Sequence, residues 1–148
     1  MTYPNPYDPF ERTDLSANEQ TVLDFMIHCM HGDDMSLIER CVAPDYIQHT
    51  PGIGQGREGL RSYLVNIAHK RPGRRDWRPI QLFACGDMVI LHKLLRHVVI
   101  ADFVRFNDTG QMAEHWDVVQ PLPESGYDPM KPSEENLGRF RELFGMTD

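Results

Sequence analysis

Cysteine is scarce. Cys29, Cys41 and Cys85 are an odd, widely spaced set that fits neither a zinc spacing nor a disulfide framework, so all three read as reduced, cytosolic thiols. Basic charge is short too: 15 Lys and Arg stand against 22 Asp and Glu, for a net charge of −7. Such a chain has no general electrostatic reason to bind nucleic acid or an anionic membrane. No run approaches the roughly 20 apolar residues of a membrane helix. The opening MTYPNPYDPFERTD lacks the basic-then-apolar pattern of a signal peptide. Internal repeats and low-complexity tracts are absent as well. What is present is one domain's worth of chain: 148 residues, 41% hydrophobic, with seven Phe, five Tyr and two Trp to anchor a core. The expectation is a cytoplasmic, globular protein.

Residues 1–15, rich in Pro and Tyr, read as an extended arm. Ser16-Ala-Asn-Glu19 matches a capping box, in which hydroxyl and carboxylate satisfy the free amides of a helix start. Val22, Phe25, Met26, Cys29 and Met30 follow at helical spacing. His31-Gly32 ends that helix, Gly32 taking the left-handed position. Asp33 or Asp34 then caps a short second helix carrying Leu37, Ile38 and Cys41, which Pro44 stops. Asp45–His49 reads as a short strand and 50–56 as a Gly- and Pro-rich loop. A third helix from Arg57 to about His69 buries Leu60, Tyr63, Leu64 and Ile67. After a basic loop at 70–75, four strands run from Trp77 to Gln120, with turns at Cys85-Gly-Asp87 and Asn107-Asp-Thr-Gly110. Ser133, followed by Glu134 and Glu135, can cap a last short helix within a C-terminal extension, 125–148. Helices first and an antiparallel meander last is an α+β order.

The strands carry ionisable groups among apolar neighbours: His92, Asp102, His115 and Asp117. That pattern suits a pocket rather than a solid core. Side chains alternate faces along a strand. A four-residue loop at Asn107–Gly110 sets Asp102 opposite His115 and Ile100 opposite Asp117. It puts both carboxylates and the imidazole on one face, with Arg105, Glu114 and Trp116 on the other. A one-residue slip would exchange the faces of the later strand. Two carboxylates and an imidazole in an apolar pocket form an acid–base set, with at least one carboxyl expected to titrate high. His92 and Lys93 are adjacent, so only one shares that face; His92 is kept as the cavity residue and Lys93 is read as solvated.

Three passages resemble the SnoaL-like branch of the nuclear-transport-factor-2-like superfamily. They are PDYIQHTPGIGQGREGLRSYL at 44–64, IADFVRFNDTGQMAEHWDVVQPLPE at 100–124, and the early pair of helices. The resemblance spans most of 16–124, the expected domain. It implies a cone: a curved antiparallel sheet wrapped around three N-terminal helices and enclosing one apolar cavity. It implies chemistry of the polyketide cyclase or ketosteroid isomerase kind, although the superfamily also holds epoxide hydrolases, dehydratases and proteins that only bind. Asp102-Phe-Val-Arg-Phe resembles the isomerase segment whose Asp stays protonated and donates to the oxyanion. Asp117 resembles the late-strand acid/base of the cyclases. His49 lies near the end of the strand that carries the isomerase base, and a neutral imidazole suits proton abstraction.

The expected function is cofactor-independent enolisation of an apolar, carbonyl-containing small molecule, leading to aldol cyclisation or isomerisation. Its catalytic candidates are Asp117, Asp102, His115 and His49. Phe25, Ile47, Leu60, Leu64, His92 and Val104 are expected to contact the substrate. The alternative is a non-catalytic binding member, which predicts a closed cavity or a His49 that does not converge with Asp117. Epoxide hydrolysis by an Asp-Arg-Asp set is disfavoured, because Arg105 alternates away from Asp102. The outer face, with Trp116, Phe103 and Val118 flanked by Arg105 and Glu114, is expected to pair in a homodimer. Gly54-x-Gly56-x-x-Gly59 has dinucleotide-binding spacing but lies outside a βαβ unit. His115-x-Asp117 with Asp102 and His49 has donors that zinc or iron accepts, without a tighter His motif.

Overall fold

The capping box forms as the spacing predicts. In the computed structural model, which describes residues 5–96 and 98–122, the Ser16 hydroxyl accepts the Glu19 amide at 3.2 Å and Glu19 Oε2 accepts the Ser16 amide at 2.8 Å. Helix α1 is Ala17–Asp24, and a π-helical turn over Phe25–Met30 prolongs it. Glu19 is buried, and its other oxygen takes Arg12 Nη1 at 2.7 Å. Arg12 also donates to the Leu82 carbonyl at 2.8 Å, and the Leu82 amide donates to the Tyr7 carbonyl at 2.8 Å. The arm from residue 5 therefore lies along the sheet edge. Gly32 does not take a left-handed conformation. Glycine is needed there for close approach, since a Cβ would fall 2.2 Å from the His28 carbonyl oxygen.

Helix α2 is Ser36–Cys41, and Asp34 accepts the Ser36 amide at 3.1 Å. Strand β1, Val42–Gln48, starts before Pro44 rather than after it. Proline is tolerated there because β1 is an edge strand, where a missing donor need not break a ladder. Helix α3, Gly56–Asn66, buries Leu60 and Leu64. It breaks at Ile67, which is 42% exposed, and a 3₁₀ turn over Ala68–Lys70 buries Ala68 instead. Gly59, in the first turn of α3, serves packing: a Cβ on it would lie 2.1 Å from the Gly54 carbonyl carbon. The basic loop is tied down as well as solvated. Arg74 donates to the Gly32 carbonyl at 2.7 Å and pairs with Asp33.

Strands β2 (Trp77–Cys85), β3 (Met88–Leu95), β4 (Val98–Phe106) and β5 (Met112–Pro121) form an antiparallel meander. β1 adds in parallel to β5, so the order is β1-β5-β4-β3-β2 in one curved, unclosed sheet. Helices and sheet share one core that includes Val22, Phe25, Leu37, Leu64, Leu91 and Phe106.

Two connections decide which side chains face that core. Leu95 pairs with Val98, so a two-residue turn joins β3 to β4, and Arg96 adopts φ 51° in it. Between β4 and β5 the Asn107 amide donates to the Gln111 carbonyl at 2.9 Å, while Asn107 Oδ1 accepts the Thr109 and Gln111 amides. The loop proper is therefore one residue shorter than expected. That change alone would turn the later strand inside out. A bulge at Ala113 compensates: Phe106 pairs with Met112, but Arg105 pairs with Glu114. Past it Asp102 stands opposite Asp117 and Val104 opposite His115, two residues from the expected register and on the expected faces.

Candidate active site

Alternation along four strands delivers the polar residues to one cavity of about 360 Å³. Lys93 arrives from β3, Asp102 from β4, His115 and Asp117 from β5, and Tyr46 and Gln48 from β1. Phe25, Met26, Leu60, Ile100 and Val104 contribute apolar wall.

The polar groups form a chain. Lys93 Nζ lies 2.7 Å from Asp102 Oδ2, an ion pair without hydrogen-bond alignment. Asp102 Oδ1 is 3.1 Å from His115 Nε2, and His115 Nδ1 is 2.9 Å from Gln48 Oε1. Gln48 Oε1 also accepts the Thr50 amide at 2.9 Å, and Gln48 Nε2 donates to the Tyr46 hydroxyl at 3.3 Å. The Thr50 amide can only donate, which fixes the orientation of the Gln48 amide. His115 Nδ1 must then carry a hydrogen. Nε2 faces a carboxylate, so both ring contacts become hydrogen bonds when the ring is an imidazolium.

Burial by itself would push the Asp102 carboxyl up. The Lys93 ammonium and His115 outweigh it and hold that carboxyl below its ordinary value. Asp102 is therefore not a carboxyl raised by its like-charged neighbour: the Lys93 ammonium and a hydrogen bond with His115 share its site. Burial, with the Asp102 charge behind it, pushes the Tyr46 phenol up, so it stays neutral. The Asp117 side chain makes no hydrogen bond or ion pair with a described residue. It stands directly across the ladder from Asp102.

Asp102, His115 and Asp117 thus come together, and Phe25, Leu60 and Val104 line the cavity beside them. Leu64 is fully buried but packs in the core rather than at the cavity wall. Three candidates lie elsewhere. His49 faces the outer side of the sheet, where Nε2 meets Glu114 Oε1 at 2.8 Å and the ring stacks on Trp116 at 4.7 Å. Ile47 pairs with Glu114 and is 43% exposed on that same side. The cause is parity: Gln48 pairs with His115, so Tyr46 and Gln48 point inward and their neighbours Ile47 and His49 outward. His92 pairs with Ala101 on the outer face, because the two-residue turn assigns the cavity side to Lys93. Lys93, read as solvated, is 5% exposed.

Lys93, Gln48, Tyr46 and His31 were not singled out by sequence reasoning as cavity residues. Strand parity around Tyr46-Ile-Gln-His49 could have found two of them. The weak metal set also comes apart, since His49 faces away. Among the described residues no three His, Cys, Asp or Glu side chains gather as metal ligands.

A family model described as the SnoaL-like domain matches residues 22–115. Among solved structures the chain resembles TsrD from Streptomyces laurentii, with 18% identity, a TM-score of 0.56, and 90% of this chain and 100% of that one covered. It also resembles a steroid delta-isomerase from Pseudomonas aeruginosa, with 18% identity, a TM-score of 0.54, and 90% and 93% covered. A SnoaL-like protein of unknown function from Burkholderia thailandensis is similar at 14% identity and a TM-score of 0.55, with 72% and 97% covered. No curated protein matches the chain. At these identities the structural likeness is one of fold.

Proposed function

The chain belongs to the SnoaL-like family, and from that premise we propose that it is an enzyme moving protons on an apolar, carbonyl-containing small molecule. The carrying observation is that Asp117, without a partner among the described residues, shares one cavity with the Lys93–Asp102–His115 chain. In this reading the Asp117 carboxylate removes the proton next to the substrate carbonyl. The Lys93 ammonium donates to the oxygen as it becomes an enolate. The protonated Asp117 then returns its proton to carbon, completing an isomerisation. In an aldol closure the enolate carbon bonds to a second carbonyl, whose oxygen takes the proton from Asp117. Asp102 is the counter-ion that positions Lys93 and His115. Each cycle balances without a cofactor.

Asp117→Asn is expected to abolish proton transfer and leave binding largely intact, since the amide keeps the shape. The check is deuterium uptake next to the carbonyl of 2-tetralone in D₂O. Loss of about 10²–10⁴-fold against wild type is expected for a general base. Uptake unchanged in Asp117→Asn would sink the assignment.

One observation favours a non-catalytic binding protein instead: His49, the expected second proton carrier, does not converge with Asp117. In that case wild type would bind apolar ketones in the cavity and show only background exchange.

The outer face supports pairing of two chains. Trp116 and Phe103 lie on it, and Val118 beside them is 64% exposed. Glu114 bridges Arg105 Nε at 2.9 Å and His49 Nε2 at 2.8 Å within one chain, forming a polar border. Light scattering at micromolar concentration is expected to give twice the 17.1 kDa chain mass. Trp116→Lys is expected to return the single-chain mass, and a single-chain wild type would rule the dimer out. Among the described residues no helix is long and apolar enough to cross a membrane.

A further inference from the structure

Three buried polar side-chain atoms have no hydrogen-bond partner among the described residues: His31 Nε2, Thr50 Oγ1 and Asp102 Oδ2. All three residues line the same cavity. Leaving such an atom unmatched costs about 1–3 kcal/mol, and native interiors contain few of them. Asp102 Oδ2 at least faces Lys93 as an ion pair. His31 Nε2 has no such compensation, although its ring is held on one face and one edge.

The His31 ring is 6% exposed. Its face stacks on Trp77 with centroids 4.5 Å apart and 21° between planes. Nδ1 lies 2.5 Å from the Arg74 carbonyl oxygen, which can only accept, so the ring hydrogen sits on Nδ1. Nε2 is left as a lone-pair acceptor on the other edge of the ring. Burial first, and then the Lys93 charge, push the His31 pKa down to about 4, so the ring is neutral around pH 7. His31 also borders a second cavity of about 90 Å³ that shares Met30, Tyr63, Arg71 and Leu95 with the first. His31 thus borders both chambers, whereas Asp117 borders only the larger.

We infer that His31 Nε2 is a second polar anchor of the cavity, accepting a hydrogen bond from a hydroxyl carried by the ligand. The ligand class narrows to apolar molecules that bear a hydroxyl in addition to the group met by Lys93 and Asp117, such as hydroxyketones and phenolic ketones. The inference needs the cavity but not the proton chemistry. A binding protein would use the same anchor, so a failed exchange assay leaves it standing.

The test uses phenol and toluene, which match in shape and differ in the hydroxyl. Imidazole ¹⁵N spectra of the full chain at pH 7 are expected to show His31 protonated on Nδ1 and bare on Nε2. Phenol should shift the Nε2 resonance as a hydrogen bond forms, and toluene should not. His31→Phe keeps an aromatic ring against Trp77 and should cut the preference for phenol over toluene about tenfold. If that variant does not fold, the wild-type spectra alone decide. A hydrogen on Nε2 overturns the inference. So does an Nε2 resonance that phenol fails to move up to its solubility, or a hydroxyl preference unchanged in a folded His31→Phe.

Discussion

Replacing Lys93 by Met is expected to destabilise the protein by about 3–5 kcal/mol, the usual consequence of stranding one member of a buried ion pair. The side chains of Lys93 and Asp102 are 6% and 4% exposed and 2.7 Å apart. Water therefore screens neither charge. With the ammonium gone, the largest influence on Asp102 is its burial, which drives the carboxyl up, and His115 alone opposes it. Asp102→Asn is expected to cost a similar amount, because it strands the ammonium beside Met26 Sδ, 3.9 Å away. The double variant Lys93→Met/Asp102→Asn should recover much of the loss. It buries no charge there, and the new amide can donate to His115 Nε2 while Nδ1 keeps its bond to Gln48. Urea unfolding of the four proteins measures this directly. Single variants within 1 kcal/mol of wild type would mean that the pair is not desolvated.

The same pair shows where sequence reasoning stopped. Which of His92 and Lys93 enters the cavity depends on one connection, and that connection carries no glycine or proline to declare its type. A lysine among apolar residues reads as solvated unless its partner is known. That partner, Asp102, lies on the next strand. The error at His49 was of another kind. Alternation within Tyr46-Ile-Gln-His49 is a local rule, but which half faces inward depends on pairing with His115, a contact remote in sequence. The inward set of β4 and β5 came out on the right faces through two compensating departures, the shorter loop at Asn107 and the bulge at Ala113. The capping box, the early helices and the meander were legible because each is written in short-range spacing. The parallel addition of β1 was not, because its partner strand comes more than 60 residues later.

Acidification from pH 6.5 to about 4 is expected to remove about 3 kcal/mol of stability through His31. In the folded chain its pKa falls from the ordinary 6.5 to about 4, and each unit is worth about 1.4 kcal/mol. Burial is the main cause and Lys93 adds to it, while the Arg74 carbonyl and the Asp102 charge pull the other way. As pH falls the unfolded chain takes up the proton first, so protonation favours unfolding throughout this window. Above pH 6.5 the ring is neutral in both states and adds no slope. Below about 4 both states carry the proton and the loss is complete. His92, lowered by its own burial, slopes the same way. Asp102 and Glu19 behave differently: their carboxyls lie below the ordinary 3.8 and 4.5. Their stabilisation is present above those values and disappears only as pH falls through the folded ones. The two limbs are therefore separable. Urea midpoints measured from pH 7.5 to 3 should show wild type losing stability well before its buried carboxylates protonate. His31→Phe, whatever its absolute stability, should be much flatter between 6.5 and 4 and then fall with wild type. An equal slope in both proteins across that window would mean that the His31 ring is not held neutral by burial.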